Sequence, residues 1–176
     1  MAFSVQPLVF RLLAGVCLVV GMAAQAAPSA DATAAVTTKS SVSLLERYSN
    51  LAQEVLLKGL EKVGIGYRSG GAGANASGLD CSGFVQTVYN EAVGLMLPRT
   101  AREQAKQGQK VAPADLKPGD LVFFNTMRRA FSHVGIYLGD HYFLHSPSAG
   151  GTVRLESMQN RYWVQRYNGA RRILAD

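Results

Sequence analysis

Residues 118–145 read PGDLVFFNTMRRAFSHVGIYLGDHYFLH, and this stretch decides the fold. Pro118-Gly119-Asp120 is a turn signature, after which short apolar runs rich in β-branched and aromatic residues predict strands over 121–124, 134–138 and 142–145. Residues 152–155 and 170–174 continue that pattern downstream. Upstream, the period is helical. Ser43-Leu44-Leu45-Glu46 forms a capping box, and Leu44, Tyr48, Leu51, Val55 and Leu60 recur at helical spacing until Gly64. A second helix is predicted from Cys81 to Val93, with Phe84, Val85, Val88 and Ala92 on one face and Gly94 ending it. Thr100 and Glu103 cap a short third helix that ends near Gly108. Helices first and an antiparallel sheet afterwards make an α+β domain.

The chain has 176 residues, 48% hydrophobic and 17% charged, which suits one domain with a substantial core and excludes a disordered chain. Three segments are expected: a signal peptide over 1–26, a flexible tether over 27–42 and one folded domain over 43–176. Arg11 precedes an apolar run, and Ala24-Gln25-Ala26 fits a cleavage site; an uncleaved anchor is the alternative. Cys17 lies inside the apolar run behind Val16, where a lipoprotein signal requires a small residue. Export to the periplasm without lipidation is therefore expected. Loss of Arg11 leaves 17 basic against 12 acidic side chains, a net charge of +5. The absence of any Lys/Arg run of five or more argues against nucleic acid as a partner.

Processing also leaves Cys81 as the single thiol, unable to form an internal disulfide in an oxidising compartment. Taken alone, such a thiol is a buried apolar residue, an intermolecular link or a nucleophile. Its place at the start of a predicted helix favours thiolate through the aligned peptide dipoles, while a buried helix-starting residue remains the other reading. His133 opens a strand whose Val134, Ile136 and Leu138 form one apolar face, so His133 points the other way, with Gly135 leaving room for a ligand. His141 and His145 have the spacing of a helical zinc pair, but in a strand four residues span roughly 13 Å. No metal site is expected. The glycine-rich stretch 69–78 lacks the ending of a phosphate loop and reads as a flexible loop beside a site. For His145 to orient His133, both must share a sheet face. That requires a three- or five-residue turn or a bulge around Gly139-Asp140, pairing Tyr137 with His141 and His133 with His145.

These residues resemble the NlpC/P60 family of papain-like cysteine peptidases that cut cell-wall peptides. The likeness rests on Leu79-Asp80-Cys81-Ser82-Gly83-Phe84-Val85, on Leu97-Pro98-Arg99-Thr100, on the Pro118–Phe124 run and on His133-Val134-Gly135-Ile136-Tyr137. It continues through His145 to Arg166-Tyr167-Asn168 and Ala170–Leu174. The resemblance implies a papain-like fold and a division of roles. Cys81 attacks as nucleophile, His133 is the base and His145 orients His133. Tyr67 supplies an oxyanion or substrate contact, with the Cys81 backbone N–H as a further donor. Asp80 helps bind substrate, or merely caps the helix; Arg99 pairs with a substrate carboxylate, or braces the loop.

By the same resemblance the substrate is a peptidoglycan stem peptide, cut at the D-Ala–meso-diaminopimelate crosslink. Alternatives are γ-D-glutamyl-diamino-acid endopeptidase, LD-carboxypeptidase, or a wall-binding module without catalysis. No cofactor is expected. The protein is expected to be a monomer, with a periplasmic adaptor or protease as a further partner.

Overall fold

The computed structural model describes residues 30–126, 129–149 and 151–174, with side chains from residue 43 onward. Helix α1 (Ala30–Glu61) comes first. It occupies most of the stretch expected to be a tether, because residues 30–58 contain neither glycine nor proline and include several alanines. Residues 43–46 therefore lie inside the helix and do not start it. The expected signal peptide, and residues 27–29, lie outside the described residues.

The buried face of α1 also differs from expectation. Ala52 and Val55 are buried, whereas Leu44 and Leu60 are each 50% exposed. Small residues let the helix approach the sheet closely: a Cβ on Gly59 would stand 3.1 Å from Leu144 Cδ1.

Helix α2 (Cys81–Val93) forms over the expected residues. Asp80 is its N-cap, and Gly94 ends it with φ 70°, its N–H bonding back to Asn90. Phe84, Val85, Val88 and Tyr89 are fully buried, packing α2 against α1 and the sheet. Helix α3 (Ala101–Gln104) starts at Thr100, whose hydroxyl accepts from Glu103 N and donates to the Glu103 carboxylate.

Six strands follow: β1 (Gln109–Val111), β2 (Leu121–Phe124), β3 (His133–Gly139), β4 (Tyr142–His145), β5 (Arg154–Ser157) and β6 (Tyr167–Arg172). They form one antiparallel sheet in the order β1-β6-β2-β3-β4-β5. A short helix α4 (Arg161–Val164) lies between β5 and β6. The strand expected over 152–155 sits two residues later, because Thr152 bridges to Gly66 instead of joining the sheet. The last strand starts and ends earlier than expected, at Tyr167 and Arg172.

Alternation along the strands gives the sheet two apolar faces. Leu121, Phe123, Val134, Ile136 and Leu144 meet α1 and α2. Val122, Phe124, Tyr137, Phe143 and Ala170 meet Trp163 of α4. His133 and His145 belong to this second face, as the alternation in β3 requires.

The β3–β4 connection contains the expected bulge, but in another register. Asp140 and His141 form the turn with φ 48° and 64°, the strands shift between Tyr137 and Gly139, and Tyr137 pairs with Phe143, not with His141. The bulge restores the parity that a plain two-residue hairpin would break. Both histidines reach the same face, offset by two residues and not directly opposed.

Candidate active site

Asp80 fixes where α2 begins. Its Oδ1 accepts from Gly83 N at 2.7 Å and from Arg99 Nη1 at 3.0 Å. Its Oδ2 accepts from Gly70 N at 3.0 Å and from Arg99 Nη2 at 2.6 Å. Burial alone would raise the Asp80 carboxyl, but the bonds from Arg99 and Gly83 hold it below its ordinary value. Both oxygens are thus committed within the protein, and Arg99 braces the loop. The glycine-rich stretch 69–78 is pinned here as well. Asp80 N donates to Gly71 O, Gly73 N donates to Thr87 Oγ1, and a Cβ on Gly83 would fall 1.9 Å from Gly71 O. Glycine at position 83 is what lets the loop lie on the helix.

Cys81 is the first residue of α2 and is partly buried. Burial pushes its thiol up and the Asp80 carboxylate adds to the rise, while backbone N–H groups of Val134, Ser82 and Cys81 oppose it. Burial and the Asp80 charge thus work against the helix dipole at this sulfur. The Val134 N–H beside it places the sulfur next to the start of β3, where His133 stands. Ser146 ties the end of β4 to the residue before Asp80, its hydroxyl donating to Leu79 O at 2.6 Å.

His133 Nε2 lies 2.8 Å from His145 Nδ1, with the two rings at right angles. Both are buried. Burial pulls His133 below its ordinary value, as does His145, with Glu156 opposing; burial followed by Arg154 pulls His145 down. The resting pair is neutral. The space beside Gly135, expected to admit a ligand, is filled by β4: a Cβ there would stand 2.6 Å from Leu144 O and 3.2 Å from His145 Cβ.

Two neighbours of this pair were not singled out from the sequence. The indole of Trp163 stacks on His133 with centroids 5.5 Å apart and meets His145 edge-on at 5.1 Å. Glu156 Oε1 lies 3.5 Å from His145 Nε2, while its Oε2 accepts from Trp163 Nε1. Trp163 is the only tryptophan of the chain, which is the one signal that marks it. Nothing in the spacing marks Glu156.

Tyr67 follows a short extended segment held between two others. Tyr67 N donates to Gly151 O at 2.5 Å, and Leu79 N donates to Gly66 O at 2.9 Å. Its side chain is partly buried and has no hydrogen-bond partner among the described residues, while its backbone neighbours Gly66 and Arg68 pair with Leu79, just before Asp80. His141 lies in the exposed β3–β4 turn, separate from the His133–His145 pair. Two clefts flank the site: one of about 390 Å³ includes Cys81, Ser82, Arg102, Arg129 and Phe131, and another of about 290 Å³ includes His133, Glu156, Tyr162 and Trp163. A thiol near the start of β3, with a hydrogen-bonded imidazole pair reached from that strand, is a chemistry suited to acyl transfer.

Known proteins share this arrangement of elements. The murein DD-endopeptidase MepS/murein LD-carboxypeptidase of Escherichia coli K12 is 44% identical over 112 residues, covering 64% of this chain and 57% of MepS. The chain thus matches little more than half the length of that relative. A solved NlpC/P60 family protein from Bacillus cereus superposes with a TM-score of 0.64 at 32% identity, covering 70% of this chain and 40% of that one. RipD of Mycobacterium tuberculosis, described as a non-catalytic NlpC/P60 domain adapted to peptidoglycan binding, superposes at 0.59 with 27% identity, covering 70% of this chain and 97% of RipD. The NlpC/P60 family model matches residues 64–172, from the glycine just beyond α1 to the last residue of β6, and the chain belongs to this family.

Proposed function

We propose that this chain is a peptidoglycan hydrolase that cuts the D-Ala–meso-diaminopimelate crosslink, with Cys81 as nucleophile, His133 as base and His145 as its orienting partner. The observation that carries the reading is the juxtaposition of the α2 N-terminal thiol with the hydrogen-bonded histidine pair. Family membership and the endopeptidase activity named for MepS support a cysteine-type peptidase acting on peptidoglycan. The N-terminal sequence supports a periplasmic location after cleavage behind Ala26.

With thiol and imidazole both neutral at rest, the proton leaves sulfur as sulfur attacks. His133 Nε2 is engaged with His145, so Nδ1 takes that proton while Cys81 Sγ bonds to the carbonyl carbon. The Cys81 N–H and the Tyr67 hydroxyl donate to the oxyanion that forms. Collapse breaks the C–N bond, and His133 returns its proton to the leaving amine. Water then attacks the thioester with His133 as base, releasing the acid and restoring the thiol.

Two other readings have specific support. MepS also carries a carboxypeptidase name, which fits trimming of monomeric stems. RipD supports a binding module, but this chain keeps a thiol at the start of α2 and a hydrogen-bonded histidine pair at the start of β3 and the end of β4, which favours catalysis. Dye release from labelled sacculi separates hydrolysis from binding. The intact protein should release dye and Cys81→Ala should not; release that survives in the variant would reject the thiol mechanism.

A further inference from the structure

Glu156 stands at the far end of the histidine pair. The β4–β5 register pairs Phe143 with Glu156 and His145 with Arg154, so Glu156 is the diagonal neighbour of His145 on the same face. Across such a diagonal only a long side chain makes contact. His145 is fully buried, and its Nε2 has no hydrogen-bond partner among the described residues; the Glu156 carboxylate lies 3.5 Å away. That carboxylate is itself fixed. Arg154 Nε donates to Oε1 at 2.6 Å and Trp163 Nε1 donates to Oε2.

We propose that Glu156 is a positioning residue that sets the direction of the proton chain through both histidines; this rests on the thiol mechanism above. A carboxylate facing a buried imidazole nitrogen favours N–H there and disfavours a lone pair. His145 therefore carries its proton on Nε2, which leaves Nδ1 as an acceptor. His133 must then donate from Nε2, which leaves its Nδ1 lone pair for the thiol proton. The opposite arrangement would put a proton on His133 Nδ1 and leave Cys81 without a base. As His133 becomes cationic, the 3.5 Å contact can shorten, since such contacts tighten when charge develops. Arg154 lies within 2.5 Å of the same carboxylate oxygen and largely balances its charge, so Glu156 acts as an acceptor more than as a source of field.

The test is imidazole-nitrogen NMR of the full chain at neutral pH, in wild type, Glu156→Leu and Glu156→Gln. Wild type should show both rings protonated at Nε2. Leucine removes the acceptor, so a second His145 tautomer should appear and kcat should fall about tenfold or more with KM little changed. Glutamine can keep an oxygen toward Arg154 and His145 and should retain the wild-type tautomers; its NH2 then faces the Trp163 N–H, so kcat should fall, but less than in the leucine variant. Unchanged tautomers in the leucine variant overturn the proposal, as do equal losses in both variants. The spectra need no substrate. Hydrolysis that persists without Cys81 would therefore defeat the thiol mechanism and not the tautomer assignment.

Discussion

His133 Nε2 sits 2.8 Å from His145 Nδ1 although the strand register places Gly135, not His133, against His145. The contact depends on the missing side chain between them. Gly135→Ala would set a Cβ 2.6 Å from Leu144 O and 2.7 Å from Phe143 Cδ2, forcing β3 and β4 apart. A loss of about 1–3 kcal/mol is expected by analogy with overpacked cores, together with a large drop in turnover. Thermal denaturation and hydrolysis assays check both; a variant with wild-type stability and rate would show that the close approach is not needed.

Acid should weaken the fold through the same pair. Both imidazoles are held below their ordinary value, chiefly by burial. As pH falls through about 6.5, the unfolded chain takes up protons that the folded chain refuses. The stability they contribute is complete above that pH and is lost progressively below it. Asp80, also held low, adds a loss in the same direction at more acid pH. Urea midpoints should therefore decline steadily from about pH 7 to about pH 4.5, and a flat profile would contradict buried neutral histidines.

The neutral resting thiol has its own signature. Burial and Asp80 both raise Cys81. Alkylation by iodoacetamide should accelerate with pH and reach its half-maximum above the ordinary thiol value of about 8.5. A fast plateau between about pH 5 and 7 would instead show a preformed thiolate–imidazolium pair.

Trp163 has two roles that one substitution separates. Trp163→Phe keeps an aromatic ring over His133 but removes the N–H that holds Glu156. Stability should fall by about 1–2 kcal/mol from the lost bond to a charged group, with a clear decrease in kcat. Unchanged kcat would show that the indole N–H has no part in the site.

Much of this was legible in the sequence because local signals agreed with the fold. The Asp80 cap, the apolar face of α2 and the αL glycine at position 94 lie within one short stretch and needed no tertiary information. The alternation around Val134 and Ile136 likewise placed His133 on the far face. What stayed hidden depends on long-range pairing. Glu156 meets His145 only through the β4–β5 register, and Trp163 reaches His133 from a four-residue helix too short to show a period. The start of α1 was missed because polar, alanine-rich sequence has helix propensity but no apolar stripe. The thiol was read from the dipole and a candidate base, since burial, the largest influence on it, appears only when the chain is folded.

The central claim is tested most directly by mass spectrometry of purified muropeptides, crosslinked dimers and monomers together, incubated with the protein or with Cys81→Ala. The account predicts conversion of dimers to monomers by the intact protein alone, with cleavage between D-Ala and meso-diaminopimelate. Shortened monomers beside unchanged dimers would shift the scissile bond to the carboxypeptidase or γ-D-glutamyl position. Dimers and monomers left unchanged by reduced, folded protein would contradict the account and identify a binding module.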